Sequence, residues 1–540
     1  MVTSAPILLL ILDGFGISRF KEGNALAQAT TPNLDLFFSY FPKTTLAHSG
    51  LAVGLPPRVV GNSEVGHKSI GSGRIVPQTL QTINDALFYD QWYQNEAFLK
   101  AASHAEKNKS SIQIIGLLSD GGGHSHIDHC LGILKLLKRK NCTRPIILHL
   151  ILDGRDMPPQ SAVPYIKAVR AAITNYGFTD NQVHFGSIGG RYFGMDRNSH
   201  WERIEQHFMA FTGTGTSIPE SDIEKYITDS YAKNSSDEFV VPVACTGKTK
   251  KERFGITKGD SVVLFNFRPD RMRQLLHTFV DKKFPHFTRP DLSGIAITTL
   301  TDYEAGVHFP NVTVAFPEPV LDNTLAHVLS QNNLTQLHIA ESEKKAHITY
   351  FLNGGTSTPE TGEDTTIIPS PSVVTYDLSP GMKTPEIVTE VITHITAKKY
   401  DFYAINIAAT DMVAHTGNLA AGVKAVEIVD RELGRLWEIV KKEKGMIILT
   451  SDHGNIEEMI NPDTKSKDTE HNMNPVPFVM IAPQLMRQKP GEISIETMAK
   501  NPTGTLADIM PTILEVYGIP MPEMEVYADQ KGISLIGRLQ

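Results

Sequence analysis

The sequence predicts an α/β protein built on parallel β-sheets and divided into two or more domains. The first observation is length, because 540 residues exceed what one compact core usually holds. The second is a series of short apolar runs rich in β-branched residues and bounded by Gly, Asp and Asn, as expected for strands buried on both faces of a parallel sheet. The third is that helical patterns separate these runs.

The individual elements can be assigned in chain order. The runs predicted to be strands are Ile7–Leu12, Ile112–Leu118, Pro145–Leu152, Val262–Phe267, Phe402–Ile407 and Met446–Thr450. An amphipathic helix is predicted between the last two runs, with apolar residues at steps of three and four: Val426, Val429, Leu433, Leu436 and Val440. The proline-flanked segment Asn311–Pro319 predicts a crossover between domains.

Composition excludes several functional classes. The formal charge of −8 argues against a broad nucleic-acid-binding surface, which needs clustered basic residues. The three cysteines, Cys130, Cys142 and Cys245, are widely spaced and suggest neither a disulfide framework nor a thiolate zinc site. The apolar run at Ile7–Leu12 is too short to span a membrane and lacks the features of a signal peptide. We therefore expect a cytoplasmic protein with no membrane partner.

Acidic and imidazole side chains follow several of the predicted strands, where open α/β sheets bind ligands. They are Asp13, Asp411, His415, Asp452, His453 and, further along the chain, His471. Mixed carboxylate and imidazole donors suit Mn²⁺, Zn²⁺ or Co²⁺ better than Ca²⁺. Six ligands are too many for one open catalytic site, so two ions sharing them are expected. Taken singly, each Asp could instead be a helix cap and each His an ordinary polar side chain.

A nucleophile for such a centre is offered by Ser63, in the loop VVGNSEVGHKSIGSGR. A serine hydroxyl is inert at neutral pH unless a base or a metal ion activates it. The alternative is that Ser63 is only the N-cap of a helix beginning near Glu64.

Eight motifs make the sequence similar to one family. In order they are GNSEVGH, LLSDGGGHSHIDH, LDGRDMPP, GGRYFGMDR, FNFRPDRMRQL, ESEKKAHITYFLNGG, ATDMVAHTG and TSDHGN. From Pro6 to about Pro520 the chain resembles the cofactor-independent phosphoglycerate mutases of the alkaline phosphatase superfamily. The resemblance implies an alkaline-phosphatase-like parallel-sheet domain, residues 1–78 and 317–540, that is interrupted by an inserted α/β transferase domain, residues 79–316.

The resemblance also implies roles for individual residues. One metal ion is assigned to Asp411, His415 and His471, and the other to Asp13, Ser63, Asp452 and His453. The implied substrate-binding residues are His124, Arg155, Asp156, Arg191, Arg197, Arg268, Arg271 and Lys344. The implied catalytic residues are Ser63, Asp156 and Lys344. The arginines suit this role because planar guanidinium groups bind phosphate and carboxylate through paired hydrogen bonds, although surface ion pairs would also explain them.

The activity implied by the resemblance is that of an isomerase. It would interconvert 3-phosphoglycerate and 2-phosphoglycerate through a phosphoserine on Ser63, in glycolysis and gluconeogenesis. The expected cofactors are two divalent ions, with Mn²⁺ preferred and Co²⁺, Mg²⁺ or Zn²⁺ as alternatives, and no 2,3-bisphosphoglycerate. The expected partner is the small-molecule phosphoglycerate, bound by a monomer. A phosphatase or phosphopentomutase of the same superfamily is the alternative enzyme, and a metal-stabilised binding protein without turnover is the alternative class.

Overall fold

The structure is a computed structural model that describes residues 5–179, 181–249, 252–304, 307–317, 321–462, 464–524 and 530–540. The chain separates into two compact units. Unit 1 comprises Met1–Gln78 and Pro319–Gln540, and unit 2 comprises Thr79–Glu318.

Unit 1 is built on an eight-stranded sheet. Its strands are β1 (Ile7–Leu12), β2 (Lys43–Ala47), β11 (Gln336–Glu341), β12 (Glu363–Ile368), β13 (Phe402–Ile407), β14 (Met446–Thr450), β15 (Val476–Ile481) and β16 (Gly504–Thr505). Their order is β12-β11-β13-β1-β14-β15-β2-β16. Neighbouring strands are parallel, except that β15 runs antiparallel to both β14 and β2.

Helices cover both faces of the unit 1 sheet. They are α1 (Ala25–Gln28), α2 (Pro32–Tyr40), α3 (Ser63–Ser72), α12 (Leu325–Gln331), α13 (Thr384–Thr396), α14 (Ala409–Ala414), α15 (Leu419–Lys442), α16 (Ile495–Met498) and α17 (Ile509–Tyr517). The central strand β1 is buried on both faces. Its alternate residues contribute to two separate cores, Leu8 and Leu10 with α15, and Ile7 and Leu9 with α17. This explains why β1 is a continuous apolar run.

Unit 2 has a second eight-stranded sheet. Its strands are β3 (Ile112–Leu118), β4 (Ile146–Leu152), β5 (Val183–Gly190), β6 (Ser217–Pro219), β7 (Val243–Thr246), β8 (Ser261–Leu264), β9 (Ala296–Thr299) and β10 (Val312–Val314). Its helices are α4 (Thr79–Phe88), α5 (Glu96–Asn108), α6 (Ile127–Arg139), α7 (Ala162–Asn175), α8 (Arg191–Gly194), α9 (Trp201–Phe211), α10 (Ile223–Tyr231) and α11 (Arg273–Val280). The strand order is β10-β9-β8-β3-β4-β5-β7-β6, and among these described strands only β5 and β7 pair antiparallel.

The predicted α/β class with parallel sheets is confirmed, and each predicted strand is present. The predicted run Val262–Phe267 ends early, at Leu264, because Asn266 uses its side-chain Oδ1 to accept the hydrogen bond from the Leu117 amide at 2.9 Å. The predicted amphipathic helix lies within α15, with its apolar face buried. Within the predicted crossover, Val312–Val314 pairs with β9 as an edge strand, and Pro319 lies outside the described residues.

None of the helices formed by the described residues combines the length and apolarity needed to span a lipid bilayer.

Candidate metal centre and arginine cluster

Three aspartates of unit 1 meet at the carboxyl ends of adjacent parallel strands. Asp13 directly follows β1, Asp411 lies in α14 just after β13, and Asp452 follows β14. Because β13, β1 and β14 are neighbours in the sheet, their ends bring the three carboxylates together. All three side chains are buried. So much negative charge in the interior requires cations nearby.

One of these cations is Lys344, from the turn that follows β11. Its Nζ lies 2.6 Å from Asp13 Oδ1 and 2.7 Å from Asp411 Oδ2. Burial alone would lower the pKa of Lys344, but the charges of Asp13 and Asp411 outweigh burial and raise this pKa above its usual value. Lys344 is therefore held as a buried cation, yet one lysine leaves three carboxylates incompletely neutralised.

Ser63 is the first residue of α3, and its hydroxyl points into the carboxylate cluster. The Oγ lies 2.9 Å from His453 Nε2, 3.0 Å from Lys344 Nζ and 3.3 Å from Asp13 Oδ1. The N-cap of α3 is Asn62, whose side chain accepts a hydrogen bond from the Val65 amide at 3.1 Å. The alternative that Ser63 is only a helix cap is therefore wrong, because Asn62 caps the helix and the serine hydroxyl contacts Asp13, His453 and Lys344 instead.

A first group of donors that could hold a metal ion consists of Asp411, His415 and His471. The Nδ1 of His415 lies 2.7 Å from the Thr469 carbonyl oxygen, and the Nδ1 of His471 lies 3.2 Å from the carbonyl oxygen of Gly61. A ring that donates from Nδ1 presents a lone pair at Nε2 when it is neutral.

These lone pairs converge on one point. The two Nε2 atoms lie 3.2 Å apart, and each is within 3.4 Å of Asp411 Oδ1. Hydrogen bonding to Asp411 raises the pKa of His415 to about 9. Three acceptors facing one another fit a divalent metal ion.

A second group of donors surrounds Asp13 and Asp452. The described residues contain two overlapping sets, Asp13 with Asp411 and His453, and Asp13 with His67 and Asp452. Asp452 Oδ2 is buried and has no hydrogen-bond partner among the described residues. Burial, followed by the neighbouring Asp452 charge, raises the pKa of Asp13. A buried carboxylate oxygen without a hydrogen bond of its own, beside a second carboxylate, fits a second cation.

His67 and Asn406 belong to this centre, although the sequence analysis did not assign them. Asn406 Nδ2 donates to Asp13 Oδ2 at 2.7 Å and lies 3.1 Å from His67 Nε2. His67 Nδ1 lies 2.8 Å from the carbonyl oxygen of Ser63 and 3.3 Å from Asp452 Oδ2. His67 falls within the GNSEVGH motif, four residues after Ser63, and this helical spacing was the one signal available in the sequence.

Unit 2 carries an arginine cluster at the carboxyl ends of its own adjacent strands. The strands β8, β3, β4 and β5 are neighbours, and their ends lead into the predicted substrate residues. These residues are His124 after β3, Arg155 and Asp156 after β4, Arg191 and Arg197 after β5, and Arg268 and Arg271 after β8. The structure therefore brings the predicted substrate residues of unit 2 to one edge of one sheet.

Aspartates form two separate sets of ion pairs with the arginines of this cluster. Arg191 is buried, and its Nη1 lies 2.6 Å from Asp153 and 2.7 Å from Asp156. Asp270 lies 2.8 Å from Arg197 and 3.2 Å from Arg268. Asp153 and Asp270 were missed in the sequence analysis, because nothing distinguishes a carboxylate that orients an arginine from one in an ordinary loop.

Burial and the positive charge of the cluster lower the pKa values of two further members, His124 and Arg271. His124 Nδ1 is 3.6 Å from Asp270, yet burial and the Arg191 charge lower the pKa of His124 to about 4. Burial and the charges of Arg191 and Arg197 lower the pKa of Arg271. Arg155 is more exposed and pairs with Glu238 at 3.4 Å. Such a site favours an anion that would relieve the repulsion.

The chain is similar to known metalloenzymes along almost its whole length. The model of the metalloenzyme superfamily matches residues 5–521. The chain is 41% identical to the 2,3-bisphosphoglycerate-independent phosphoglycerate mutase of Clostridium kluyveri over 519 residues, which cover 96% of this chain and 97% of the relative. It is 43% identical to the enzyme of the same name from Clostridium tetani over 523 residues, which cover 96% and 97% of the two chains. Among solved structures, it is similar to Leishmania mexicana phosphoglycerate mutase at low cobalt concentration, with a TM-score of 0.61, 28% identity and coverage of 100% and 98%.

Proposed function

Because this chain belongs to the metalloenzyme superfamily, and within it to the 2,3-bisphosphoglycerate-independent phosphoglycerate mutases, which are isomerases, we propose that it interconverts 3-phosphoglycerate and 2-phosphoglycerate through a phosphoserine on Ser63. The observation that carries this proposal is the position of the Ser63 hydroxyl, within 3.3 Å of Asp13, His453 and Lys344. A serine that only capped a helix would have no need of these neighbours.

The donor sets support two divalent ions, with Mn²⁺ as the first choice and Co²⁺, Mg²⁺ or Zn²⁺ as alternatives. One ion would be held by Asp411, His415 and His471. The other would be held by Asp13, Ser63, Asp452 and His453. When bound, such a pair supplies Lewis-acid stabilisation of the attacking and leaving oxygens in an in-line displacement.

The residues of unit 1 carry out the phosphoryl transfer. Ser63 Oγ gives up its proton and forms a bond to phosphorus while the bond between phosphorus and the glycerate oxygen breaks, and the glycerate oxygen takes up a proton. Lys344 keeps its proton and places a positive charge 3.0 Å from the nucleophile, where negative charge develops on the phosphoryl oxygens. In the second step the other glycerate oxygen gives up its proton and bonds to phosphorus, the bond from phosphorus to Ser63 Oγ breaks, and Ser63 regains its proton.

The residues of unit 2 hold the glycerate between the two steps. A carboxylate and a phosphate both suit the forks of Arg191, Arg197, Arg268 and Arg271. Asp156 is the acid and base for the glycerate hydroxyls, because it is partly exposed and its carboxylate is oriented by Arg191 at 2.7 Å. His124 would donate or accept a hydrogen bond as a neutral ring.

We further propose that the enzyme acts in glycolysis and gluconeogenesis, as a cytoplasmic monomer that needs no 2,3-bisphosphoglycerate. The three cysteines support a reducing compartment, because all are free and buried.

The decisive assay is incubation of the metal-loaded protein with 3-phosphoglycerate in the absence of 2,3-bisphosphoglycerate. The expected product is 2-phosphoglycerate, and the activity should be lost on chelation and regained with Mn²⁺. Release of inorganic phosphate alone would favour the alternative phosphatase. If Mn²⁺, Co²⁺, Mg²⁺ and Zn²⁺ all fail to support isomerisation, the proposal is wrong.

A further inference from the structure

His67 connects the nucleophile to the aspartates of unit 1 through hydrogen bonds at both of its ring nitrogens. The ring is fully buried, one helical turn after Ser63 in α3. Its Nδ1 lies 2.8 Å from the Ser63 carbonyl oxygen, and its Nε2 lies 3.1 Å from Asn406 Nδ2. Asn406 is in turn bonded to Asp13.

The chemistry of Asn406 fixes which nitrogen of His67 carries the proton. Asp13 is a carboxylate and needs a donor, so Asn406 must present its NH₂ group to Asp13 Oδ2. The same NH₂ group faces His67 Nε2, which therefore accepts. His67 Nδ1 then carries the hydrogen and donates it to the Ser63 carbonyl oxygen.

We infer that His67 is a positioning residue for the nucleophile rather than a metal ligand. Both of its ring nitrogens are engaged, one by Asn406 and the other by the Ser63 carbonyl oxygen. The ring thereby fixes the first turn of α3 relative to Asp13 on one side and Asp452 on the other, with Asp452 Oδ2 3.3 Å from Nδ1. This inference rests on the proposed role of Ser63 as the nucleophile.

By restraining the position of Ser63, His67 would affect the rate of phosphoryl transfer. Phosphoryl transfer depends on the position of the attacking oxygen, and a displacement of about 1 Å costs roughly 100-fold in rate. Ser63 begins the helix, where frayed backbone would otherwise allow its hydroxyl to move. The side-chain bond from His67 to the Ser63 carbonyl adds a restraint that the helix backbone does not supply.

Two substitutions distinguish the contributions of the two ring nitrogens of His67. In His67→Asn the amide nitrogen can occupy the position of Nδ1 and donate to the Ser63 carbonyl. In His67→Gln the amide extends to the position of Nε2, where it can reach Asn406 but not that carbonyl. We expect His67→Gln to lower kcat for isomerisation by about 100-fold and His67→Asn by less than about tenfold, with KM unchanged in both.

Metal binding is measured independently of activity, by calorimetric titration of the metal-free variants with Mn²⁺. A positioning residue predicts the wild-type number of ions and the wild-type affinity in both variants. The rate of phosphoserine formation, followed by rapid quench and mass spectrometry, should fall in parallel with kcat. His338→Gln is the matched control, because His338 is also buried in unit 1 and its Nδ1 lies 3.0 Å from a carbonyl oxygen, that of Ile348. It should affect thermal stability without affecting kcat.

Three outcomes would overturn the inference. Loss of one bound ion in both variants would make His67 a ligand. Equal activity of the two variants would show that donation to the Ser63 carbonyl is not what matters. If His67→Gln does not fold, Asn406→Ala serves as the second variant, because it removes the partner of Nε2 without changing His67. Asn406→Ala should lower kcat with the number of bound ions unchanged. Wild-type kcat in Asn406→Ala would overturn the inference. A wild-type protein with no isomerase activity would instead refute the proposed function.

Discussion

The tandem Asn62–Ser63 divides two tasks between adjacent side chains. Asn62 caps α3 through its bond to the Val65 amide, and Ser63 presents its hydroxyl to Lys344 and His453. Either residue is a good N-cap in isolation, so the sequence alone could not say which one caps the helix. The structure assigns the cap to Asn62, and this leaves the serine available for chemistry.

Replacing Ser63 by Ala should abolish isomerisation and phosphoserine formation while preserving the fold. The substitution removes one hydroxyl and no helix cap, so we expect a change in unfolding free energy of less than about 1 kcal/mol. Phosphoserine is measured by mass spectrometry after incubation with 3-phosphoglycerate. Asn62→Ala is the control, because it should cost about 1 kcal/mol in stability and retain phosphoserine formation. Phosphate found on another residue of the wild-type protein would contradict the assignment of Ser63.

Glu341 should make stability depend on pH. Burial raises the pKa of Glu341, at the end of β11, from 4.5 to about 7. Between these two values the folded protein holds a proton that the unfolded chain has released, so stability is highest below pH 4.5 and falls as the pH rises through 7.

The variant Glu341→Gln cannot ionise, so it should gain stability relative to wild type as the pH rises. The gain between pH 5 and pH 8 should be at most roughly 3 kcal/mol. Thermal unfolding at both pH values measures it. Glu438→Gln, on the exposed side of α15, is the control for the loss of one glutamate charge. A Glu341→Gln difference that does not change with pH would refute the raised pKa.

At the scale of elements, strands buried on both faces were the most predictable features. Runs such as Ile7–Leu12 are apolar at every position, so their bounds follow from the sequence. By contrast, β15 contains Pro477 and runs antiparallel to its neighbours, and no pattern in the sequence predicted it. The order β13-β1-β14 joins segments about 400 residues apart, so no local pattern could show that Asp13 lies beside Asp411 and Asp452.

Buried polar residues inside regular elements were missed for a different reason. His67 lies within α3 and Asn406 within β13, and both look in sequence like residues of ordinary elements. Their function depends on partners supplied by other segments, such as the carboxylate of Asp13. Residues in strand-end loops were easier to find, because position alone makes them candidates.

Helix α3 must approach the Asp452 segment closely, and Gly66 makes this approach feasible. A Cβ at position 66 would lie 2.8 Å from the Asp452 Cβ and 2.8 Å from its carbonyl oxygen. Gly66→Ala should therefore cost about 1–3 kcal/mol in stability, although alanine favours helix. It should also weaken Mn²⁺ binding, because Asp452 must shift.

Ser69→Ala is the control for this prediction on the same helix. Its hydroxyl is buried and has no hydrogen-bond partner among the described residues, so its removal should leave stability unchanged or raise it. Thermal unfolding and calorimetric titration with Mn²⁺ measure both variants. If Gly66→Ala is as stable as wild type and binds Mn²⁺ equally well, the close approach to Asp452 is not limiting.

At the scale of the whole molecule, charge is divided between the two units. Unit 1 gathers Asp13, Asp411 and Asp452 in its interior, which suits metal cations, and unit 2 gathers arginines at a sheet edge, which suits an anion. The net charge of −8 reveals neither feature, because opposite clusters cancel in the sum. The motifs indicated the arginines from the sequence, whereas the carboxylates that hold them, Asp153 and Asp270, became apparent only in the structure.

In the proposed reaction, the arginines of unit 2 hold glycerate between the two transfers. Weakening the arginine cluster should therefore uncouple formation of the phosphoserine from return of the phosphate to glycerate. Arg197 is the better site for the test, because its side chain is 48% exposed, whereas Arg191 is 2% exposed between Asp153 and Asp156. Removing Arg191 would leave the buried carboxylate of Asp153 without its cation, at a cost of about 3–5 kcal/mol. Arg197→Gln should instead weaken the grip on glycerate without unfolding unit 2. Glycerate then escapes before the phosphate returns, and water hydrolyses the phosphoserine.

We therefore expect Arg197→Gln to lose isomerase activity by more than it loses phosphoserine formation. The ratio of inorganic phosphate to 2-phosphoglycerate produced should rise, and measuring both products in one reaction tests this directly. Arg170→Gln is the matched control, because Arg170 pairs with Glu224 at 2.9 Å in the same unit and is not a member of the arginine cluster. It should leave the product ratio unchanged. If Arg197→Gln lowers both activities equally, Arg197 acts before the first transfer, and retention of glycerate must depend on other residues.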